Sequence, residues 1–393
     1  MDIAVLAQLG AMGLLAATLP LAMVWISADA NKYRKLVWVG VFLTFDLIMF
    51  GAYTRLSDSG LGCPDWPGCY GLANPFQAHD EIRAAEALMP HGPVTLFKAW
   101  VEMTHRYLAM GIGVLIMALM AQAWRQWWKS RRPEFAPWLP TALFFFVCLQ
   151  GAFGAWTVTM KLQPVIVTLH LLLGMGLLAL LTWLGGHQDQ AVRPLTRACG
   201  TAPQMRQMRV LAALAALLWL IQIALGGWVS TNYATLACQD FPLCHGKLWP
   251  EMDFEHGFTL WRALGKTAAG HYLPFSALTA IHVVHRTFAL LVFAGIGYTI
   301  FRAYRYNSLR STARLIGIVL VLQALSGIAT IYFNWPLAIA VLHNGGAALL
   351  VLLLTMLNYR AKFEYDIALR CVAVQGASAA QAARPSSPAR HQP

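Results

Sequence analysis

Four histidines are spaced so that they could do metal chemistry. His105, His170, His285 and His343 each fall a few residues inside a long apolar segment. An ionisable side chain within an apolar span is costly to keep and usually marks a working site. At about 1.5 Å per residue, each imidazole sits roughly 10 Å below the same boundary of its span. Two neutral imidazoles at equal depth on neighbouring helices can fill the two axial positions of one haem iron. The pattern occurs twice, which predicts two haem-sized sites. A structural zinc site would need four ligands, and each half offers two histidines at that level. Arg106 and Arg286 directly follow a ligand candidate. A buried guanidinium wants an anion, so both are candidate contacts for haem propionates. One helical turn earlier the halves differ, with Glu102 before His105 and His282 before His285. Residues at i and i+3 share a helix face, so Glu102 points towards whatever His105 touches and is a candidate general base. His282 is a spare ligand or a hydrogen-bond partner, secondary to His285.

The elements that position these groups are membrane helices. Of 393 residues, 58% are hydrophobic and 12% charged, about half the charged share of a soluble domain. Nine segments are long and apolar enough to cross a bilayer: about 3–27, 36–56, 98–124, 137–159, 164–185, 209–229, 277–302, 313–333 and 337–358. The net charge of +12 marks loops facing the cytoplasm rather than a nucleic-acid surface. Lys32, Arg34 and Lys35 follow the first span. Arg125, Lys129, Arg131 and Arg132 follow the third, and Arg193, Arg197, Arg206 and Arg209 follow the fifth. Arg302, Arg305, Arg310 and Arg314 bracket the loop after the seventh. The positive-inside rule makes that side cytoplasmic. The N-terminus and the long loops 57–97 and 230–276 then lie outside, and the C-terminus inside. Asp2 stands where a signal peptide carries basic residues, and residues 3–27 are long for its apolar stretch. They read as a retained helix of a bacterial protein in its inner membrane.

The chain repeats itself. FGAYTRLSDSGLGCPDWPGC (50–69) aligns with LGGWVSTNYATLACQDFPLC (225–244), pairing Gly51 with Gly226, Cys63 with Cys238, Asp65 with Asp240, Pro67 with Pro242 and Cys69 with Cys244. His105-Arg106 then matches His285-Arg286, Leu149-Gln150 matches Leu322-Gln323, Gly154 matches Gly327, and His170 matches His343. The fold class is therefore all-α and polytopic, with two parallel, pseudo-symmetric four-helix bundles and one extra N-terminal transmembrane helix. The expected divisions are 1–35 (extra helix and linker), 36–185 (first half), 186–208 (linker), 209–358 (second half) and 359–393 (tail). The tail turns Ala/Ser/Pro/Gln-rich from about Gly376 and reads as disordered. Cys63 and Cys69 share one outer loop, and Cys238 and Cys244 the other. Outside the membrane each pair is a candidate disulfide, either a loop staple or a redox couple. Cys148, Cys199 and Cys371 read as ordinary thiols.

These residues resemble a family. TRLSDSGLGCPDWPGC after an apolar helix, Glu102-x-x-His105-Arg106, His170, His285-Arg286 and His343 are similar to the loop and histidine motifs of haem A synthases, over about residues 36–358. The resemblance implies oxidation of one ring methyl of haem O to a formyl group by two hydroxylations and loss of water, in haem A biosynthesis for cytochrome c oxidase. It implies that His285 and His343 hold haem b as cofactor, and that His105 and His170 hold the substrate haem with Glu102 acting near its methyl. The enzyme that makes haem O (protohaem farnesyltransferase) is the expected partner; the electron acceptor and a homo-oligomer stay open. A rival is a two-haem cytochrome b, which would place its haems near opposite membrane faces. Another is a haem transporter or chaperone, which would not turn over. A membrane thiol-disulfide protein would not need the histidines.

Overall fold

The computed structural model describes residues 3–192 and 201–382. Arg193, Arg197, Cys199 and the segment 383–393 lie outside these. Eleven α-helices are found among the described residues, with no strand. They are α1 (Ile3–Ile26), α2 (Lys32–Leu56), α3 (His79–Leu88), α4 (Leu96–Ser130), α5 (Trp138–Thr159), α6 (Pro164–Val192), α7 (Ala202–Thr231), α8 (Phe254–Phe258), α9 (Phe275–Ala303), α10 (Asn307–Tyr332) and α11 (Leu337–Ala382). Nine of them, all but α3 and α8, are long and apolar enough to span a bilayer. The protein is a multi-pass membrane protein.

Local chemistry sets the helix starts. Asn31 caps α2 by accepting the Arg34 N–H at 3.0 Å, and Thr95 caps α4 by accepting that of Lys98 at 3.2 Å. Thr201 and Gln204 form a reciprocal capping box at α7, satisfying donors that a helix start leaves open. Several helices run past the expected span ends. α6 continues to Val192 and α7 begins at Ala202, so the link between them is shorter than 186–208. α11 runs on to Ala382, past the span end expected at 358 and into the tail expected to be disordered from about 376. The stretch 359–375 has no Gly or Pro to stop a helix, and Lys362 pairs with Asp366 at 2.7 Å one turn on.

The nine long helices form two rings with an outlier. α2, α4, α5 and α6 each pack on the next, and α6 closes back on α2. α7, α9, α10 and α11 do the same, with α11 closing on α7. The rings meet where α11 packs on α2 and α6, and α6 on α7. This contact is close: a Cβ on Gly227 of α7 would lie 3.0 Å from Leu171, and one on Gly345 of α11 would lie 3.1 Å from Met49. At the loop end Arg55 ties the rings together by donating to the Ser230 carbonyl at 2.7 Å and lying over the Tyr233 ring.

α1 stands outside the first ring, against α4 and α2. Helices in lipid gain little from burying apolar surface against each other, so small residues that permit close approach decide the contact. A Cβ on Gly13 would sit 2.8 Å from the Met110 Cβ, and one on Gly111 would sit 3.0 Å from the Ala16 Cβ. Gly10, by contrast, has nothing within 4 Å of where its Cβ would be. Gly13→Leu is therefore expected to push α1 off α4, while Gly10→Leu leaves it docked. Cross-linking between cysteines placed on the facing α1 and α4 surfaces checks this, with yield falling severalfold in the first variant alone.

Candidate functional site

The four histidines occupy alternate helices of the two rings. His105 is on α4 and His170 on α6, which stand opposite each other in the first ring. His285 on α9 and His343 on α11 stand opposite in the second. The sequence reading placed each pair on neighbouring helices; the ring order makes them diagonal, with the bundle interior between them. From the loop-side ends of their helices, His105 and His285 lie about 14 Å along and His170 and His343 about 9 Å along, at about 1.5 Å per residue.

Each imidazole rests on a glycine of the preceding long helix. A Cβ on Gly51 would lie 2.9 Å from His105 Nε2, and one on Gly154 would lie 3.2 Å from His170 Cε1. The corresponding distances are 3.0 Å from Gly226 to His285 Cε1 and 3.1 Å from Gly327 to His343 Cε1. Any larger residue would push the ring out of place. Four equivalent cradles explain why glycine recurs at these matched positions.

The donor set can be tested against a haem. Among the described residues, no three His, Cys, Asp or Glu side chains gather to hold a metal ion. A bare ion would want more protein ligands than two. Two opposed imidazoles suit an iron whose other four positions a porphyrin fills. Bundle interiors are where such sites are built. His170 Nδ1 is buried without a hydrogen-bond partner, so the protein alone does not complete that ring's polar contacts.

The two long loops fold over the histidine end alike. Disulfides join Cys63 to Cys69 and Cys238 to Cys244, with Cα–Cα distances of 5.0 and 4.9 Å. Both loops contain a cis proline peptide, at Trp66-Pro67 and Phe241-Pro242. Asp65 accepts the N–H groups of Tyr70 and Gly71, and Asp240 those of His245 and Gly246. The Gly246 N–H, with that of His245, holds the half-buried Asp240 carboxyl below the usual carboxylate range. All four cysteines of these pairs are buried. Cys148 and Cys371 are free and exposed.

Arg106 and Arg286 clamp these loops. Arg106 Nη1 donates to the carbonyls of Asp65, Pro67 and Gly68 at 3.0, 3.2 and 2.6 Å. Arg286 donates to those of Asp240, Leu243 and Cys238 at 2.9, 3.1 and 2.7 Å. The anion that Arg106 meets is Glu102, through Nη2. Arg286 Nε is buried and unpartnered. Glu102, buried, also accepts the Cys63 N–H at 2.8 Å, so it links the disulfide loop to the turn that carries His105. A carboxylate has about four acceptor positions; these contacts leave room for another donor. His282, its counterpart, turns Nδ1 to the Ala234 carbonyl at 2.9 Å and acts as a hydrogen-bond partner to its own loop.

With this geometry in view, the comparison with known proteins is direct. The family described as cytochrome oxidase assembly protein matches residues 34–355. The chain belongs to that family. It is 37% identical over 330 residues to the heme A synthase of Shewanella oneidensis, covering 83% of this chain and 96% of that protein. It is 30% identical over 344 residues to the heme A synthase of Mesorhizobium japonicum, covering 81% and 87%. It is 28% identical over 345 residues to that of Rhizorhabdus wittichii, covering 83% and 92%. The family match begins after α1, so α1 lies beyond the part shared with the cytochrome oxidase assembly family.

Three glutamines escaped the sequence reading as site residues. Each lies four residues before a cradle glycine. Gln150 donates to the His170 carbonyl at 3.1 Å, Gln222 to that of His285 at 3.3 Å, and Gln323 to that of His343 at 3.0 Å. The signal was the spacing Gln-x-x-x-Gly, present before Gly154, Gly226 and Gly327. The fourth copy has Leu47 four residues before Gly51.

Proposed function

We propose that the protein is a haem A synthase, an oxidoreductase that converts one ring methyl of haem O to a formyl group. The observation that carries this reading is the doubled pair of opposed histidines with a buried carboxylate beside one pair alone. His285 and His343 hold haem b. His105 and His170 hold the substrate haem, and Glu102 lies one turn from His105. Conversion of the methyl with water as oxygen source releases four protons and four electrons: R–CH3 + H2O gives R–CHO + 4 H+ + 4 e−. The bound haem b would supply a route for those electrons towards an acceptor outside the chain. Glu102 takes up protons from the attacking water or the methyl, held in position by Arg106 and the Cys63 N–H. The unpartnered Nε of Arg286 is the donor left for a propionate.

Both sites lie towards the disulfide loops, which supports placing them in the outer half of a bacterial inner membrane. The basic ends then face the cytoplasm, with the N-terminus in the periplasm. Residues 36–185 form the substrate half and 209–358 the haem b half. A prenylated haem reaches such a site through lipid, so the enzyme that makes haem O is the natural donor. A two-haem electron carrier across the membrane is disfavoured because all four histidines lie in the half of their helices nearer the disulfide loops.

Extraction and chromatography of the haems bound to the full chain, produced in membranes that also make haem O, tests the proposal. Haem A together with haem b is the expected result. Haem b alone, at two per chain despite available haem O, would sink the synthase reading and favour a carrier.

A further inference from the structure

The two histidine pairs differ in what touches their rings. In the second ring both imidazoles meet a polar side chain. His343 Nδ1 lies 2.8 Å from Ser326 Oγ. That hydroxyl gives its own proton to the Gln323 carbonyl at 3.0 Å, so towards His343 it can only accept. Nδ1 then carries the hydrogen, and the Nε2 lone pair faces the Gln323 amide nitrogen at 3.3 Å, the contact that a metal would replace. His285 Nδ1 lies 3.2 Å from the Gln222 side-chain amide. The same amide nitrogen donates to the His285 carbonyl at 3.3 Å, so Gln222 holds the ring and its own helical turn together.

The first ring lacks both contacts. Phe153 stands three residues after Gln150, where Ser326 stands three after Gln323. His170 Nδ1 is buried and unpartnered. Leu47 stands where Gln222 would be, and the Phe50 ring stacks on His105 at 6.3 Å. Among the described residues, the His105 ring makes no hydrogen bond. A ligating histidine whose other nitrogen is held by an acceptor is fixed in tautomer and orientation and is a stronger base towards the metal. Loss of such a contact typically weakens metal binding about 10–100-fold.

We infer that these contacts sort the two sites by exchange rate: Ser326 and Gln222 make the His285–His343 site a retaining one, and Leu47 and Phe153 make the His105–His170 site a releasing one. The inference rests on the haem reading proposed above, and it explains how one bundle architecture serves both a resident group and a substrate that must leave as product. Ser326, Gln222, Leu47 and Phe153 are positioning residues that act through the histidines.

The test follows haem transfer from the purified full chain, carrying its own haems, to excess apomyoglobin by visible spectroscopy. Wild type should lose haem in two phases, the fast one missing in His105→Ala. Ser326→Ala should speed the slow phase about tenfold or more, and Ser326→Thr, which keeps the hydroxyl, should restore it. Phe153→Ser or Leu47→Gln should slow the fast phase by a similar factor. The redox midpoint of the retained haem should move in Ser326→Ala and return in Ser326→Thr, which a merely structural role would not produce. Two phases insensitive to all these changes, or a single phase in wild type, would overturn the inference while leaving haem binding intact. A chain that carries no haem at either site would overturn both readings.

Discussion

Glu102→Gln is expected to lower haem A formation by at least about 100-fold, the loss typical when a positioned acid–base group is removed, while both haems stay bound. The choice of glutamine follows from the surroundings. Glu102 is buried, takes the Arg106 guanidinium and accepts the Cys63 N–H. Both substitutions remove the Arg106 counter-charge, but alanine also leaves the Cys63 N–H without its acceptor, which adds about 1–3 kcal/mol of desolvation cost. That destabilisation could by itself mimic a loss of function. Glutamine keeps an oxygen for the Cys63 N–H but cannot take up a proton at neutral pH. If haem O or a hydroxylated derivative accumulates in Glu102→Gln with normal haem b content, the carboxylate acts on the reaction. If haem A forms at near wild-type rates, Glu102 serves only to hold the disulfide loop on α4.

Much of this arrangement was legible in the sequence. Spans longer than 20 apolar residues have few soluble alternatives, so hydropathy found all nine long helices, with most ends a few residues short where polar helix formers continue a turn or two, and the end of α11 short by the whole stretch 359–382. His105, His170, His285 and His343 stood out because an imidazole in an apolar run has few bland explanations. What stayed hidden depends on the third dimension. Helix order around a ring is not encoded in any local pattern, so opposite helices were taken for neighbours. α3 is short and polar and lies within an outer loop, where hydropathy has nothing to detect. The loop clamp of Arg106 and Arg286 closes on backbone carbonyls, which every residue carries, so it left no mark in the sequence. The glutamines were half visible: Gln150 and Gln323 aligned in the repeat, but Gln222 faces Leu47 in the alignment and broke the pattern. That break is where the two sites diverge.

The histidines give the second large effect, and the two rings should respond differently. His343→Ala removes an axial ligand from the retained site. Its partner His285 keeps its place on Gly226 and its contact with the Gln222 amide, but one imidazole holds haem far less firmly than two. Purified His343→Ala should therefore lose most of its haem b and essentially all haem A formation. His170→Ala should keep haem b near wild-type content, because its ring supplies neither ligand of that site and meets α11 through α2 and α6. Haem A formation should still fall by about 100-fold or more, since mispositioning of a reacting group costs rate steeply. Haem content and low-spin haem spectra of the two variants, measured side by side, separate these outcomes. Equal loss of haem b in both would mean that the rings do not hold their haems independently. Loss of haem b in His170→Ala alone would exchange the roles of the two halves.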